Sequence, residues 1–322
     1  MEKQINDAQK RAILHDAGPM LVLAGPGSGK TFVITNRIKH LTHELGISGD
    51  QILVISFSRA SALEMKDRYL QLTGDLSTPV SFGTFHAVFF QILKNEYHLS
   101  TSDLLSFKEK RDILRESLQQ AMYDCKSDDD LLLGLMEWKD KLEHTEDDPE
   151  DALSILLELF GKEKNLGGCL AGEELPVSPK IYETLRDHYE DIVRKRKKLD
   201  FDDMLVRCRD LFRARPVVLR KYQAQYRYIL IDEFQDINPI QFEVIRMLAK
   251  PENNLFVVGD DDQAIYSFRG SSPEIMLHFK EYYPLAKQVI LNVNYRCAGN
   301  ILEVAAALIR ENKNRFAKDP EA

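Results

Sequence analysis

The chain has 322 residues, 44% of them hydrophobic and 29% charged, with a formal net charge of −8. That length allows two domains with separate cores, and the composition is that of an ordinary soluble globular protein. It excludes a membrane-spanning helix, since no apolar run approaches about 18 residues, and Met1-Glu2-Lys3-Gln4-Ile5 lacks the basic-then-apolar start of a signal peptide.

From the N-terminus, Asn6 reads as a helix N-cap with Asp7 in the first turn. Gln9 carries an amide that could read adenine, with a plain surface role as the alternative. Pro19 to Ala24 is an apolar run of strand length, followed by Ala24-Gly25-Pro26-Gly27-Ser28-Gly29-Lys30-Thr31. Apolar residues at Val33, Ile34, Ile38 and Leu41 then give a helical period. Strand, glycine-rich turn and helix are the context of a phosphate-binding loop, where backbone N–H groups and the helix N-terminus converge on phosphate oxygens. Lys30 reaches the β- and γ-phosphates in such a loop, and Thr31 offers its hydroxyl to Mg²⁺. Arg37 is counted with the nucleotide-binding residues. Gln51 to Phe57 is a second buried strand, and Ser58 starts the next helix, which carries Arg59. Phe57 stands at a strand end, where a base could stack. A third strand, Val80 to Phe82, runs into Gly83-Thr84-Phe85-His86 and puts Thr84 and His86 in the same kind of position.

Between Leu93 and Lys198 long amphipathic helical segments replace strands, over 104–122, 130–142 and 149–160. They read as a helical domain inserted into an α/β domain, closed by the acids of Asp200-Phe201-Asp202-Asp203. Two basic clusters, Arg194 to Lys198 and Arg207 to Lys221, are either a groove for a polynucleotide backbone or solvated helix faces. Acidic charge concentrates at Asp128 to Asp130 and Glu146 to Asp148. Cys125, Cys169, Cys208 and Cys297 have neither metal-ligand nor disulfide spacing and read as reduced thiols in a cytosol.

The α/β pattern returns with the strand Arg227 to Ile231, which ends in Asp232-Glu233-Phe234-Gln235-Asp236. Beside a phosphate loop, Asp232 suits Mg²⁺ and Glu233 suits the water that attacks the γ-phosphate. The strand Asn254 to Gly259 leads to Asp260-Asp261-Asp262-Gln263, whose glutamine is placed to sense that phosphate. Tyr266, Phe268 and Arg269 follow as stacking faces and a cation. Val289 to Val293 is a last strand, with Tyr295 and Arg296 at its end as a base-stacking ring and an arginine finger.

These stretches, in this order and separation, resemble the motif series of superfamily 1A DNA helicases of the UvrD/Rep/PcrA type. Asp232 to Asp236 and Gly259 to Tyr266 are the most specific of them. The resemblance implies a RecA-like α/β domain with a parallel sheet at 1–92 and 206–284 (domain 1A). It implies an inserted helical domain at 93–205 (1B) and the start of a second RecA-like domain at 285–322 (2A). It implies ATP and Mg²⁺ as cofactors, with Gln9, Ala24 to Thr31 and Tyr295 on the nucleotide and Thr31 and Asp232 on the metal. Glu233, Asp232, Lys30, Gln263 and Arg296 are implied in hydrolysis. Phe57, Arg59, Thr84, His86, Tyr266 and Phe268 are implied along a single-strand channel. Single-stranded and duplex DNA are the implied partners, moved 3′→5′ in the cytoplasm during repair or replication, with the oligomeric state, monomer or dimer, left open. Three positions depart from the family's usual letters: Arg59 for asparagine, Phe32 for arginine and Phe268 for tryptophan. Because the second arginine finger is not found, the chain is expected to be the N-terminal portion of a longer helicase and a slow ATPase by itself. The alternative is a non-catalytic DNA-binding or scaffold protein that keeps the helicase fold.

Overall fold

The computed structural model describes residues 5–125, 127–144, 149–168, 170, 174–318 and 321. Cys169, the acids Glu146 to Asp148 and the side chain of Arg269 lie outside what is described. The chain divides into two compact units, 1–88 with 209–322, and 89–208. The inserted helical domain read from the sequence at 93–205 compares with this second unit. Its edges fall inside two continuous helices, which composition alone does not reveal.

The first unit opens with α1 (Asp7–Ile13), started by a capping box in which the side chains and backbones of Asn6 and Gln9 bond reciprocally. Then come β1 (Met20–Ala24), α2 (Lys30–Lys39), β2 (Ile52–Ile55), α3 (Arg59–Thr73), β3 (Ser81–Gly83) and α4 (Phe85–Tyr97), which crosses into the second unit. In that unit lie α5 (Phe107–Asp124), α6 (Asp129–His144), α7 (Pro149–Asn165) and α8 (Pro179–Lys195), and α9 (Asp203–Ala214) leads back out. α10 (Pro216–Gln225), β4 (Tyr228–Ile231), α11 (Pro239–Ala249) and β5 (Leu255–Gly259) follow. The short α12 (Glu274–Leu277) and α13 (Phe279–Tyr282), then β6 (Lys287–Leu291) and α14 (Gly299–Ile309), complete the order.

The six strands form one parallel sheet in the order β3-β2-β4-β5-β1-β6. Strands covered on both faces read as unbroken apolar runs, as β1, β2 and β5 do. Val22, Ile34, Ile38, Leu41, Val54, Leu230, Phe256 and Val258 share the core that α2 and the strands enclose. A parallel sheet has a decisive consequence for function: all six C-terminal ends lie along one edge, where such sheets present their ligand-binding loops.

Residues 285–322 are expected from the sequence to start a second domain; in the structure β6 pairs with β1 from Met20↔Lys287 to Ala24↔Leu291. An apolar strand next to an unfilled sheet edge completes that sheet, and the segment belongs to the first unit.

The second unit packs α5, α6, α7 and α8 around Leu114, Leu118, Leu135, Trp138, Phe160, Leu185 and Tyr189. α5 begins at Phe107 rather than Leu104 because Ser106 and Glu109 form a capping box. The acids after α8 are consumed within the unit: Lys164 pairs with Asp203 at 2.7 Å, and Asn165 donates to Asp202 at 2.9 Å. The basic cluster on α8 is similarly engaged, Lys195 with Asp191 at 2.6 Å and Arg196 with Glu116. In the first unit Arg213 pairs with Glu243 at 2.5 Å. These contacts favour the solvated-face reading for the cations concerned.

Candidate nucleotide-binding site and strand-edge surface

The turn after β1 demands glycine at two places. Gly27 has φ of 71° and Gly29 has φ of 92°, left-handed conformations that other residues adopt at a cost. Ser28 closes the turn with its hydroxyl donating to the Gly25 carbonyl at 2.7 Å. Lys30 and Thr31 then enter the first turn of α2, so the phosphate loop and the helix N-terminus coincide. Phe32, where the family usually has arginine, packs on the sheet core.

Gln9 is buried and its amide is committed at both ends. Its Oε1 accepts from the Asn6 N–H at 3.3 Å, and its Nε2 donates to the Ser28 carbonyl at 3.2 Å. The last strand supports the loop from the other side. Asn294 Nδ2 donates to the Pro26 carbonyl at 2.7 Å, and the Tyr295 N–H donates to the Gly27 carbonyl at 3.0 Å. The Tyr295 ring is exposed, and its hydroxyl accepts from Asn6 Nδ2 at 2.9 Å. Arg296 stands directly over Gly27, where an added Cβ would lie 2.6 Å from the Arg296 Cβ.

At the tip of β4, Lys30 Nζ donates to Glu233 Oε2 at 2.7 Å, bringing together groups 203 residues apart. Glu233 holds φ of 51° and ψ of 48°, a left-handed conformation rare outside glycine and typical of strained functional positions. Gln235 bridges the neighbouring loops. Its Nε2 donates to Glu233 Oε2 at 2.9 Å, and its Oε1 accepts from the Asp260 N–H at 2.9 Å. Gln263 in turn donates through Nε2 to Asp260 Oδ2 at 2.6 Å.

Asp232 is buried beside this pair, and its Oδ1 has no hydrogen-bond partner. Burial first, then the neighbouring charge of Glu233, pushes its carboxyl up to about 6. A buried carboxylate oxygen with an open lone pair is suited to a cation. No group of three His, Cys, Asp or Glu side chains among the described residues has the arrangement of a protein-only metal cage. A single buried carboxylate of this kind is what Mg²⁺ uses where it is held by one or two protein ligands and completes its shell with phosphate oxygens and water.

Asp236 is pushed up to about 7, by burial and then by Glu233. The sign follows directly: the folded state binds this proton more tightly, so stability is greatest below the ordinary value of 3.8 and falls as pH rises towards 7. Asp236→Asn, whose amide oxygen can still accept from Gln235, is therefore expected to raise stability by on the order of 1–2 kcal/mol at pH 8. The gain should shrink towards pH 5. Thermal melts at the two pH values check this, and a gain no larger at pH 8 than at pH 5 contradicts it.

Arg37 is corrected by the structure. Its guanidinium is 2% exposed, donates to the carbonyls of Ile13 and His15, and lies 4.8 Å from the Phe256 ring centroid. Burial lowers it to about 10. It pins α2 to the end of α1 behind the loop, so it does not face a nucleotide.

On the same edge the Phe57 and Tyr266 rings stack with centroids 4.7 Å apart, and Tyr266 and Phe268 are 6.0 Å apart. Phe57 and Phe268 are exposed, as is Arg59 at the start of α3. Thr84 sits at the tip of β3, where its hydroxyl accepts from the Ala87 N–H at 3.3 Å, and His86 is half-buried in the first turn of α4. Asn294 belongs to a stretch that matches the motif series without a role of its own, and the cations Arg315 and Lys318 carry no signal in the sequence. Arg315 meets Asp262, and Lys318 meets all three acids of Asp260 to Asp262.

A six-stranded parallel sheet whose first strand feeds a glycine loop and a Lys-Thr helix start defines a RecA-like, phosphate-loop nucleotide-binding protein. More narrowly, the chain belongs to the UvrD/REP helicase family, whose N-terminal-domain model matches residues 5–284. It is 38% identical to YjcD of Bacillus subtilis (strain 168), covering 99% of this chain and 40% of YjcD. It is 32% identical to the ATP-dependent DNA helicase PcrA of Staphylococcus epidermidis, covering 98% of this chain and 41% of PcrA. The PcrA of Leuconostoc citreum is also 32% identical, over 98% of this chain and 40% of that protein. The chain thus spans about 40% of the length of these curated relatives. No helix among the described residues is long and apolar enough to cross a membrane.

Proposed function

We propose that this chain is the ATP-hydrolysing part of a cytoplasmic DNA helicase that moves 3′→5′ along single-stranded DNA and separates duplex ahead of it. The observation that carries the reading is the 2.7 Å contact between Lys30 and Glu233, with Asp232 beside it, on the sheet edge that also presents Phe57, Tyr266 and Phe268. In this reading Ala24 to Thr31 wrap the phosphates, Lys30 holds the β- and γ-phosphates, and Thr31 and Asp232 hold Mg²⁺. Mg²⁺ held there would neutralise charge on the phosphate oxygens. Tyr295 stacks on the base, and Gln9 and Asn6 hold the loop and that ring. Glu233 orients the attacking water and accepts its proton, while Gln263 and Arg296 meet the γ-phosphate.

DNA follows the strand tips. Bases stack on Phe57, Tyr266 and Phe268, a sequence-tolerant contact because every base has a π-face. Arg59, Thr84 and His86 meet the backbone. Removing one stacking ring is expected to weaken oligo-dT binding by about 5- to 150-fold, from the roughly 1–3 kcal/mol such contacts contribute. Tyr266→Ala, measured by fluorescence anisotropy with and without MgATP, tests this. Affinity within twofold of the parent would remove DNA from this edge. DNA-stimulated ATP hydrolysis, and displacement from 3′-tailed rather than 5′-tailed duplexes, test the motor itself.

A further inference from the structure

Three consecutive carboxylates, Asp260, Asp261 and Asp262, follow β5 on the edge that carries the phosphate loop. Asp260 is 1% exposed and Asp261 8% exposed. Buried and uncompensated, such charges are costly, and they would repel a triphosphate alongside. Their counter-charges arrive from the far end of the chain. Lys318 Nζ lies 2.5 Å from Asp260 Oδ1, 2.5 Å from Asp261 Oδ1 and 2.9 Å from Asp262 Oδ2. Arg315 grips Asp262 with two parallel hydrogen bonds of 2.7 Å each, and the Phe316 N–H donates to Asp261 Oδ2 at 2.8 Å. Burial works against the Lys318 charge, yet Asp260 and Asp261 together hold it above the ordinary lysine value.

The arrangement reaches the candidate phosphate sensor through one carboxylate. Lys318 sits on Oδ1 of Asp260, and the Gln263 amide donates to Oδ2 at 2.6 Å. The Gln263 N–H also donates to the Asp260 carbonyl at 2.9 Å. Gln263, Arg315 and Lys318 line one cavity of about 230 Å³ together with Gly25, Pro26 and Ser28 of the phosphate loop.

We propose that Lys318 and Arg315 are positioning residues for ATP hydrolysis: by clamping Asp260 to Asp262 they fix Asp260, and through it the Gln263 amide, beside the phosphate loop. The inference rests on the proposed role of Gln263 at the γ-phosphate. Neither cation has to touch the nucleotide. Without Lys318, Asp260 keeps a buried charge with no cation on it, its carboxylate is free to turn, and Gln263 loses a fixed acceptor.

The test uses the full chain with Lys318→Met, Lys318→Arg, Gln263→Ala and the Lys318→Met/Gln263→Ala double variant. Single-turnover hydrolysis and binding of a fluorescent ATP analogue separate rate from affinity. Lys318→Met is expected to lower the rate about tenfold with affinity changed less than about threefold, and Lys318→Arg to restore the rate to within about threefold. The double variant should be no slower than Gln263→Ala alone, because both act through one amide. Hydrogen exchange gives a readout independent of activity: Lys318→Met should speed exchange at 260–268 at least about fivefold and leave 21–34 unchanged. Additive rate losses, or unchanged exchange at 260–268, would overturn the proposal. Absence of hydrolysis in the parent chain, by contrast, would count against the ATPase reading, while the exchange comparison still decides the positioning claim. If Lys318→Met does not fold, Arg315→Gln is compared in the same way, with the same expected directions.

Discussion

Glu233→Gln is expected to slow MgATP hydrolysis by at least about 100-fold while nucleotide affinity stays within about threefold. A positioned general base contributes about 10²–10⁴-fold, and a glutamine cannot take the proton. The same substitution is nearly isosteric, and its amide oxygen can still accept from Lys30 Nζ at the 2.7 Å position that Glu233 Oε2 now occupies. In the proposed reading Ala24 to Thr31 bind the phosphates without that carboxylate, so binding and turnover should separate. Single-turnover hydrolysis and titration with a fluorescent ATP analogue give the two numbers. A rate within fivefold of the parent would remove Glu233 from the chemistry. Equal loss of affinity and rate would instead mean that Glu233 mainly holds Lys30 in place.

The second large effect is structural. Gly259→Ala at the end of β5 puts a Cβ 2.7 Å from Gln235 Oε1, 3.1 Å from Met276 Sδ and 3.1 Å from the Phe234 backbone nitrogen. The obstacle is space, since the strand conformation itself accepts alanine. Overpacking of this kind costs about 1–3 kcal/mol, and displacing Gln235 leaves the buried Asp260 N–H without its acceptor, for about 1–3 kcal/mol more. A total near 3 kcal/mol corresponds to a fall of roughly 6–12 °C in Tm for a domain of this size. The alanine should cost less in a Gln235→Ala background, where the clashing amide is gone. A Tm within 2 °C of the parent contradicts the packing argument.

Most of the site was legible in the sequence because its chemistry is local. A glycine turn, a Lys-Thr helix start and acids after an apolar strand are each written within about ten residues, and a parallel sheet brings them to one edge. What could not be read depends on distance in the chain. The Lys318 and Arg315 contacts with Asp260 to Asp262 join residues more than fifty positions apart. Arg37, counted with the nucleotide-binding residues, is held inside by the carbonyls of Ile13 and His15 and the ring of Phe256, contacts that its place in the sequence does not reveal. The pairing of β6 with β1 was not legible either, because an apolar strand does not say which sheet edge it joins. The unit boundaries were missed by a few residues because α4 and α9 run through them without a break.

The Phe57–Tyr266 stack has a mechanical corollary. With centroids 4.7 Å apart, the two rings join the loops that follow β2 and β5, strands that β4 separates in the sheet. A third flat ring fits between them only if the two rings move apart by about a ring's thickness. Otherwise it must lie against an outer face. The pair therefore ties the loop after β2 to the loop that continues from Gln263, so the candidate phosphate sensor and the candidate stacking surface share one segment of chain.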